Sequence, residues 1–188
     1  MQVTTFLSIC GAIAFVAYEF VLRRRDTLTA TWRPDEGDRG STRLILGAYV
    51  AVTAVNISLS GVSVGTLHVA WRWVGVALLA EGLTVRAWAM RTLGRYYTRT
   101  LRTIDEQTVV DRGPYRLVRH PGYTGSLMVW TGYALGLGNW VATASTVVLL
   151  GGVYIWRIRA EEALLSLSFG EGYAEYRRRT KRLVPYVY

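Results

Sequence analysis

The chain is 188 residues long and 51% hydrophobic, and only 19% of it is charged, below the quarter found in ordinary soluble domains. Lys and Arg outnumber Asp and Glu by 22 to 13, a net charge of +9 carried beside seven Trp and twelve Tyr. This composition excludes a disordered chain, a collagen and a disulfide scaffold, and the single cysteine, Cys10, excludes a cysteine-built zinc cluster.

The first predicted element is a membrane span. Residues 3–22 carry one charge, Glu19, near the end of the run, and a helix of about 20 residues covers the hydrocarbon layer of a bilayer. Arg23, Arg24 and Arg25 follow the apolar run instead of preceding it, so a retained span is expected rather than a cleaved signal peptide. A second span is expected over 44–64, which holds no charge. The third, over 67–90, contains His68, Arg72, Glu81 and Arg86. The run from 123 to 154 is too long for one crossing, and Gly136, Gly138 and Asn139 near its middle predict a helical hairpin. The expected fold is therefore all-α, a polytopic membrane bundle of about five transmembrane helices.

Arginine placement predicts the orientation. Arg23 to Arg25, Arg33, Arg39 and Arg43 lie between spans one and two, and Arg91, Arg95, Arg99, Arg102, Arg112, Arg116 and Arg119 between three and four. The tail after span five is also basic, whereas the segments 61–67 and 136–140 carry no charge. The positive-inside rule places the basic segments in the cytoplasm, with the N-terminus outside and the C-terminus inside. The net charge is then orientation charge with an affinity for anionic lipid, and no nucleic-acid partner is expected. Trp71, Trp73, Trp140 and Trp156 read as an interfacial belt, and His68 as solvated. Ionisable groups inside a membrane need partners or water. Glu81 is expected in a buried structural pair, while Arg86 either snorkels to the interface or serves a site.

Two stretches are of a different kind. Residues 105–125 (DEQTVVDRGPYRLVRHPGYTG) break helix at Gly113-Pro114 and His120-Pro121-Gly122, and gather Tyr115, Arg116, Arg119 and His120 at the start of the hairpin. Such irregular backbone beside a membrane domain is tolerated where it is buried or lines a cavity. Residues 157–186 open with a helix on which Arg157 and Glu161 can pair, and Ala160, Leu164, Leu165, Leu167 and Phe169 give an apolar side. Phe169-Gly170 reads as its end, with a second short helix from Glu171 carrying Tyr173 and Tyr176.

Together these stretches resemble the isoprenylcysteine carboxyl methyltransferase family of integral membrane enzymes and, more distantly, the membrane phospholipid methyltransferases. GPYRLVRHPGYTG (113–125) matches G-P-Y-x-x-x-R-H-P-x-Y-x-G without a gap. After the hairpin, the tail matches R-x-x-x-E-E at Arg157 to Glu162 and F-G-x-x-Y-x-x-Y at Phe169 to Tyr176. A looser likeness, R-x-W-A-x-x-x-L-G, runs from Arg86 to Gly94. Two long motifs in the right order are far more specific than a lone glycine-rich loop.

The resemblance implies methyl transfer from S-adenosylmethionine bound on the cytoplasmic side. It divides the chain into N-terminal transmembrane helices (1–80) and a catalytic core (81–188). It implies His120, Tyr123 and Glu162 as cofactor contacts, with Arg119 and Pro121 shaping the site beside Glu161. Backbone around Val110, Gly113 and Tyr115, and around Leu117 and Val118, would line the adenosine and methionine moieties. The chain has no strand, GxGxxG and helix unit, so a Rossmann-type cofactor site is not available. A carboxylate acceptor is already ionised at pH 7 and needs a cation to hold it, Arg157 first and Arg86 second. For an amine or thiol acceptor, Glu161 or His120 would be the base. The acceptor implied is a lipophilic small molecule or lipid, and the short five-span form resembles prokaryotic members, implying a plasma membrane. Two other classes fit part of the pattern: membrane sterol and enone reductases, which would use NADPH and a basic clamp such as the arginines at 95–102, and a non-catalytic lipid-binding protein.

Overall fold

A computed structural model of the protein describes residues 2–29, 41–94 and 109–185. These form helices α1 (Val3–Thr29), α2 (Ser41–Leu59), α3 (Val69–Leu93), α4 (Pro121–Leu137) and α5 (Trp140–Arg179), with a single 3-10 turn, Gly113–Arg116, ahead of α4. The expected all-α membrane bundle is the architecture found. Val3–Leu22 of α1, α3 and an apolar stretch within α5 are long and apolar enough to cross a bilayer, and α2 adds the shorter apolar stretch Arg43–Leu59. Arg33, Arg39, Arg95, Arg99 and Arg102, including the arginines considered for an NADPH clamp, lie outside the described residues.

The tightest packing is between α3 and α4, and glycines make it possible. On α3, Gly75 and Gly82 are seven residues apart; on α4, Gly125 and Gly132 repeat that spacing. A Cβ at Gly82 would stand 2.6 Å from Val129 N, one at Gly125 2.7 Å from Arg86 N, and one at Gly132 2.5 Å from Leu79 N. The obstacles are backbone atoms, so the two helices run antiparallel with main chain against main chain. Where lipid removes the hydrophobic drive between helices, such small-residue seams hold them together by van der Waals contact.

The other helices lock onto this pair through aromatic and polar groups. Phe15 of α1 meets Trp130 of α4 edge-on, and Tyr49 of α2 stacks on the same indole at 5.0 Å. Tyr49 also shares a 2.9 Å hydrogen bond with Tyr154 of α5. Further along α2, Asn56 donates to Thr146 Oγ1 of α5 at 3.0 Å and to Val52 O. Trp71, Trp73, Trp140 and Trp156 all face outwards, each more than two-fifths exposed.

The expected hairpin forms as read. Gly138 (φ 89°) caps α4 in the left-handed conformation that glycine adopts without penalty. Asn139 caps α5, its Oδ1 accepting from Val141 N and Ala142 N. The same side chain donates through Nδ2 to Leu59 O and Val64 O, tying the α2–α3 connection to the hairpin turn. Arg72 closes this end by donating to Gln2 Oε1, to Thr5 Oγ1 at 2.7 Å and to Gly136 O, and His68 is the N-cap of α3. Asn139 is 3% exposed, so Asn139→Ala strands both sets of partners and should cost about 1–3 kcal/mol. Asn139→Asp, which keeps the cap and loses the donors, should fall between Ala and wild type in a thermal melt in detergent.

One expectation within the bundle is corrected. Glu81 does not enter a buried pair; it is exposed on α3. Arg86, five residues on, points about 140° away around the helix and is buried with the α4-facing glycines. Its counterion comes from α1: Glu19 Oε1 accepts from Arg86 Nε at 2.9 Å and lies 2.8 Å from Nη2. Arg86 therefore does not snorkel.

Candidate active site at the head of the helical hairpin

The site begins with the turn signals of 113–121. Gly113 (φ 59°) opens the 3-10 turn with Pro114 in its second position, and Pro121 starts α4; at both places a missing N–H costs nothing. Between them the chain is extended enough to pair with the C-terminal segment. Val118 bridges Lys181 in parallel register, Arg119 N donates to Lys181 O at 2.7 Å, and His120 N donates to Arg182 O at 3.0 Å. Thr124 Oγ1 donates to Leu183 O at 2.8 Å, and Leu183 joins the main core. Tyr176 Oη donates to Tyr115 O at 2.8 Å. The segment after α5 is thus part of the site's wall.

α5 brings the carboxylates. It continues for six turns beyond Trp156 and is interrupted at Gly170 (φ 50°, ψ −124°), where the sequence places a helix end. Leu164, Leu165 and Phe169 are half-buried as expected of an apolar side, but Leu167 stands 87% exposed.

Glu161 and Glu162 have different environments. Glu162 is 4% exposed. Arg119 Nε donates to its Oε1 at 2.8 Å, while Arg182 donates to Oε2 through Nε at 3.0 Å and Nη2 at 2.8 Å. His120 Nε2 lies 3.4 Å from Oε1. Burial alone would raise the pKa of Glu162, but His120, Arg182 and Arg119 outweigh it and hold the carboxyl below the usual range. Arg119 also donates to the carbonyls of Arg177 and Thr180. Glu162 is thus the centre of a clamp that joins the head of α4, the middle of α5 and the C-terminal segment.

Glu161 keeps 30% of its side chain exposed. Its Oε2 accepts from Tyr123 Oη at 2.9 Å, and that same hydroxyl accepts from Arg157 Nε at 3.2 Å. His120 Nδ1 lies 3.9 Å from Glu161 Oε1. Arg157, Tyr123, Glu161 and His120 therefore form one connected constellation, and Tyr123 packs on both His120 and Tyr154.

Other residues singled out in the sequence take varied places. Val110 is half-buried against the cluster of Ala89, Met90 and Tyr115. Leu117 is 52% exposed, whereas Pro114, Tyr115 and Val118 are buried. Arg86 stands one layer further in: a Cβ on Gly122 would lie 2.8 Å from its Nη1. Arg182, Thr180 and Glu19 are the groups that sequence reading missed. The first two belong to a run that reads as orientation charge, and Glu19 reads only as the lone charge of a span.

A protein-family model described as phospholipid methyltransferase matches residues 70–172 of the chain. Among curated proteins, the probable protein-S-isoprenylcysteine O-methyltransferase of Oryza sativa subsp. indica is 32% identical over 117 residues, which is 61% of each chain. The protein-S-isoprenylcysteine O-methyltransferase of Homo sapiens is 29% identical over 115 residues, 60% of this chain and 40% of the human one. The chain thus spans about three-fifths, or less, of the length of these relatives. Among solved structures, the eukaryotic intramembrane Ras methyltransferase (isoprenylcysteine carboxyl methyltransferase) shares the fold. Its TM-score is 0.63 at 19% identity, covering 74% of this chain and 51% of that one. With the family model covering more than half of its residues, this membrane helix bundle belongs to the phospholipid methyltransferase family, and its curated relatives are isoprenylcysteine O-methyltransferases.

Proposed function

We propose that the protein transfers a methyl group from S-adenosylmethionine to the carboxylate of a lipophilic acceptor, with residues 81–188 as the catalytic core. The observation that carries this reading is the convergence of His120, Tyr123, Arg157 and Glu161 at the head of the hairpin, beside the clamp on Glu162. The relatives' names and the family model support the class of reaction.

The donor set suits the proposed cofactor. His120 Nε2 is buried 3.4 Å from Glu162 Oε1 without a well-aligned hydrogen bond among the described residues, and the partly open Glu161 offers an acceptor to an ammonium or a ribose hydroxyl. When bound, the cofactor supplies a sulfonium-activated methyl group and its own leaving group. The chain's residues then have to orient and exclude water, and well-aligned reactants can gain on the order of 7–11 kcal/mol that way. Glu161 is the accessible contact, and Glu162 acts by holding Arg119, His120 and the C-terminal segment in place. Arg157 is the better cation for the acceptor carboxylate, since it shares Tyr123 with Glu161, whereas Arg86 is committed to Glu19. A carboxylate is ionised at pH 7, so no general base is assigned. By the positive-inside rule, the basic segments support a cytoplasmic location for this end of the bundle, with the N-terminus outside.

Purified protein in detergent should release heat on titration with S-adenosylmethionine and none with NADPH. His120→Ala and Glu161→Gln should each weaken binding at least about tenfold, or 1.4 kcal/mol. Heat with NADPH alone would overturn the methyltransferase reading.

A further inference from the structure

The head of α4 is capped by His120 and carries Tyr123 in its first turn. Between them sits Gly122, where a Cβ would lie 2.8 Å from Arg86 Nη1 and 2.8 Å from Met90 Cε. Both atoms belong to α3, and α1 backs both. Glu19 of α1 holds the guanidinium through Nε at 2.9 Å and Nη2 at 2.8 Å, with the Arg86 and Glu19 side chains 9% and 14% exposed. Tyr18 and Leu22, which flank Glu19, pack on the cluster of Ala89, Met90 and Tyr115.

Arg86 holds this place only with its counterion. The N-terminus of a helix is its positive end, so a bare guanidinium against Gly122 would be repelled by the first turn of α4. A second cation, Arg157, already donates to Tyr123 in that turn. A buried charge stripped of its partner is costly and turns toward whatever acceptor it can reach. Glu19 lies outside residues 70–172, the part of the chain that the family model matches, so its role cannot be carried over from the family.

We propose that Glu19 is a positioning residue for the methyl-transfer site: it seats the Arg86 guanidinium against Gly122 and so fixes the turn that presents His120 and Tyr123. This rests on the methyltransferase reading above. The first helix then supports the site from outside the catalytic core, without touching donor or acceptor.

The test uses the full chain in detergent, with S-adenosylmethionine as the calorimetric probe. Absence of wild-type binding overturns the parent reading as well, whereas the variants bear on Glu19 alone. Given wild-type binding, Glu19→Gln should weaken it about tenfold, and Glu19→Asp, which keeps the charge, should recover part of the loss. Phe15→Leu, one turn earlier on α1 against Trp130, is the control for general loosening. It should lower the melting temperature and leave the affinity unchanged. Gly122→Ala displaces the guanidinium with Glu19 intact. The atoms its Cβ meets are the ends of flexible side chains, so it should melt close to wild type and still bind the donor less tightly. If Glu19→Gln does not fold, Gly122→Ala decides by itself. Unchanged affinity in either variant overturns the proposal, and so does an equal loss in Phe15→Leu, which marks a loosened bundle.

Discussion

Glu162→Gln should lower the stability of the ligand-free protein by about 3–5 kcal/mol, because it removes the carboxylate around which the buried clamp is built. Arg119 and Glu162 have side chains 8% and 5% exposed, and Arg182 is 25% exposed. The amide keeps one acceptor, yet it cannot balance the guanidinium charge of Arg119 and Arg182, and it presents N–H groups to donors. The damage should spread beyond one pair, since Arg119 also holds the carbonyls of Arg177 and Thr180. The C-terminal segment should then leave Val118 and become a site of rapid proteolysis. Glu161→Gln next door should melt close to wild type, because its carboxylate is partly solvated. Thermal unfolding of the two variants side by side separates the residue that builds the site from the one that serves it. Equal melting temperatures would contradict that division.

Gly132→Leu should prevent the bundle from assembling, and Gly132→Ala should cost roughly 1–3 kcal/mol. A Cβ at Gly132 meets Leu79 N at 2.5 Å and Gly75 O at 2.6 Å. Neither obstacle can rotate away, so α3 and α4 must separate along the whole seam. Gly82→Ala should behave alike, for its Cβ meets Val129 N at 2.6 Å and Gly125 O at 2.8 Å. Gly151→Ala and Gly152→Ala on α5 are the controls: nothing lies within 4 Å of either Cβ. They should be neutral or stabilising by up to about 1 kcal/mol through helix propensity. Melting temperatures of the four alanine variants test the seam, and a uniform response across them would refute it.

Features written in adjacent residues were legible in the sequence. Gly138-Asn139 marks the hairpin turn, Gly170 the break in α5 and Pro121 the start of α4, because turn and cap chemistry is local. The seven-residue spacing of Gly75 with Gly82, and of Gly125 with Gly132, is also visible in the sequence, although it names no partner until the helices are laid together. Residue pairs distant along the chain were not legible. Glu19 meets Arg86 across 67 residues, Tyr49 meets Tyr154 across 105, and nothing local in either helix announces the other. Glu81 was misplaced for a related reason: hydropathy counts charges in a span, but helical phase decides which way each one faces. The roles of the paired carboxylates depended on Arg182, which a sequence reader counts among orientation charges. Their unequal burial appears only once the C-terminal segment is seen to return to the head of α4.

The central claim, a methyl donor at the head of the hairpin serving a lipophilic carboxylate, meets its most direct test in label transfer. Membranes or lipid extract would be incubated with the purified protein and methyl-labelled S-adenosylmethionine, and the lipid phase then treated with mild alkali. The account predicts label in the lipid phase, its release as methanol by alkali, and its loss in His120→Ala and Glu161→Gln. Label that never reaches the lipid phase, or that resists alkali, would contradict it.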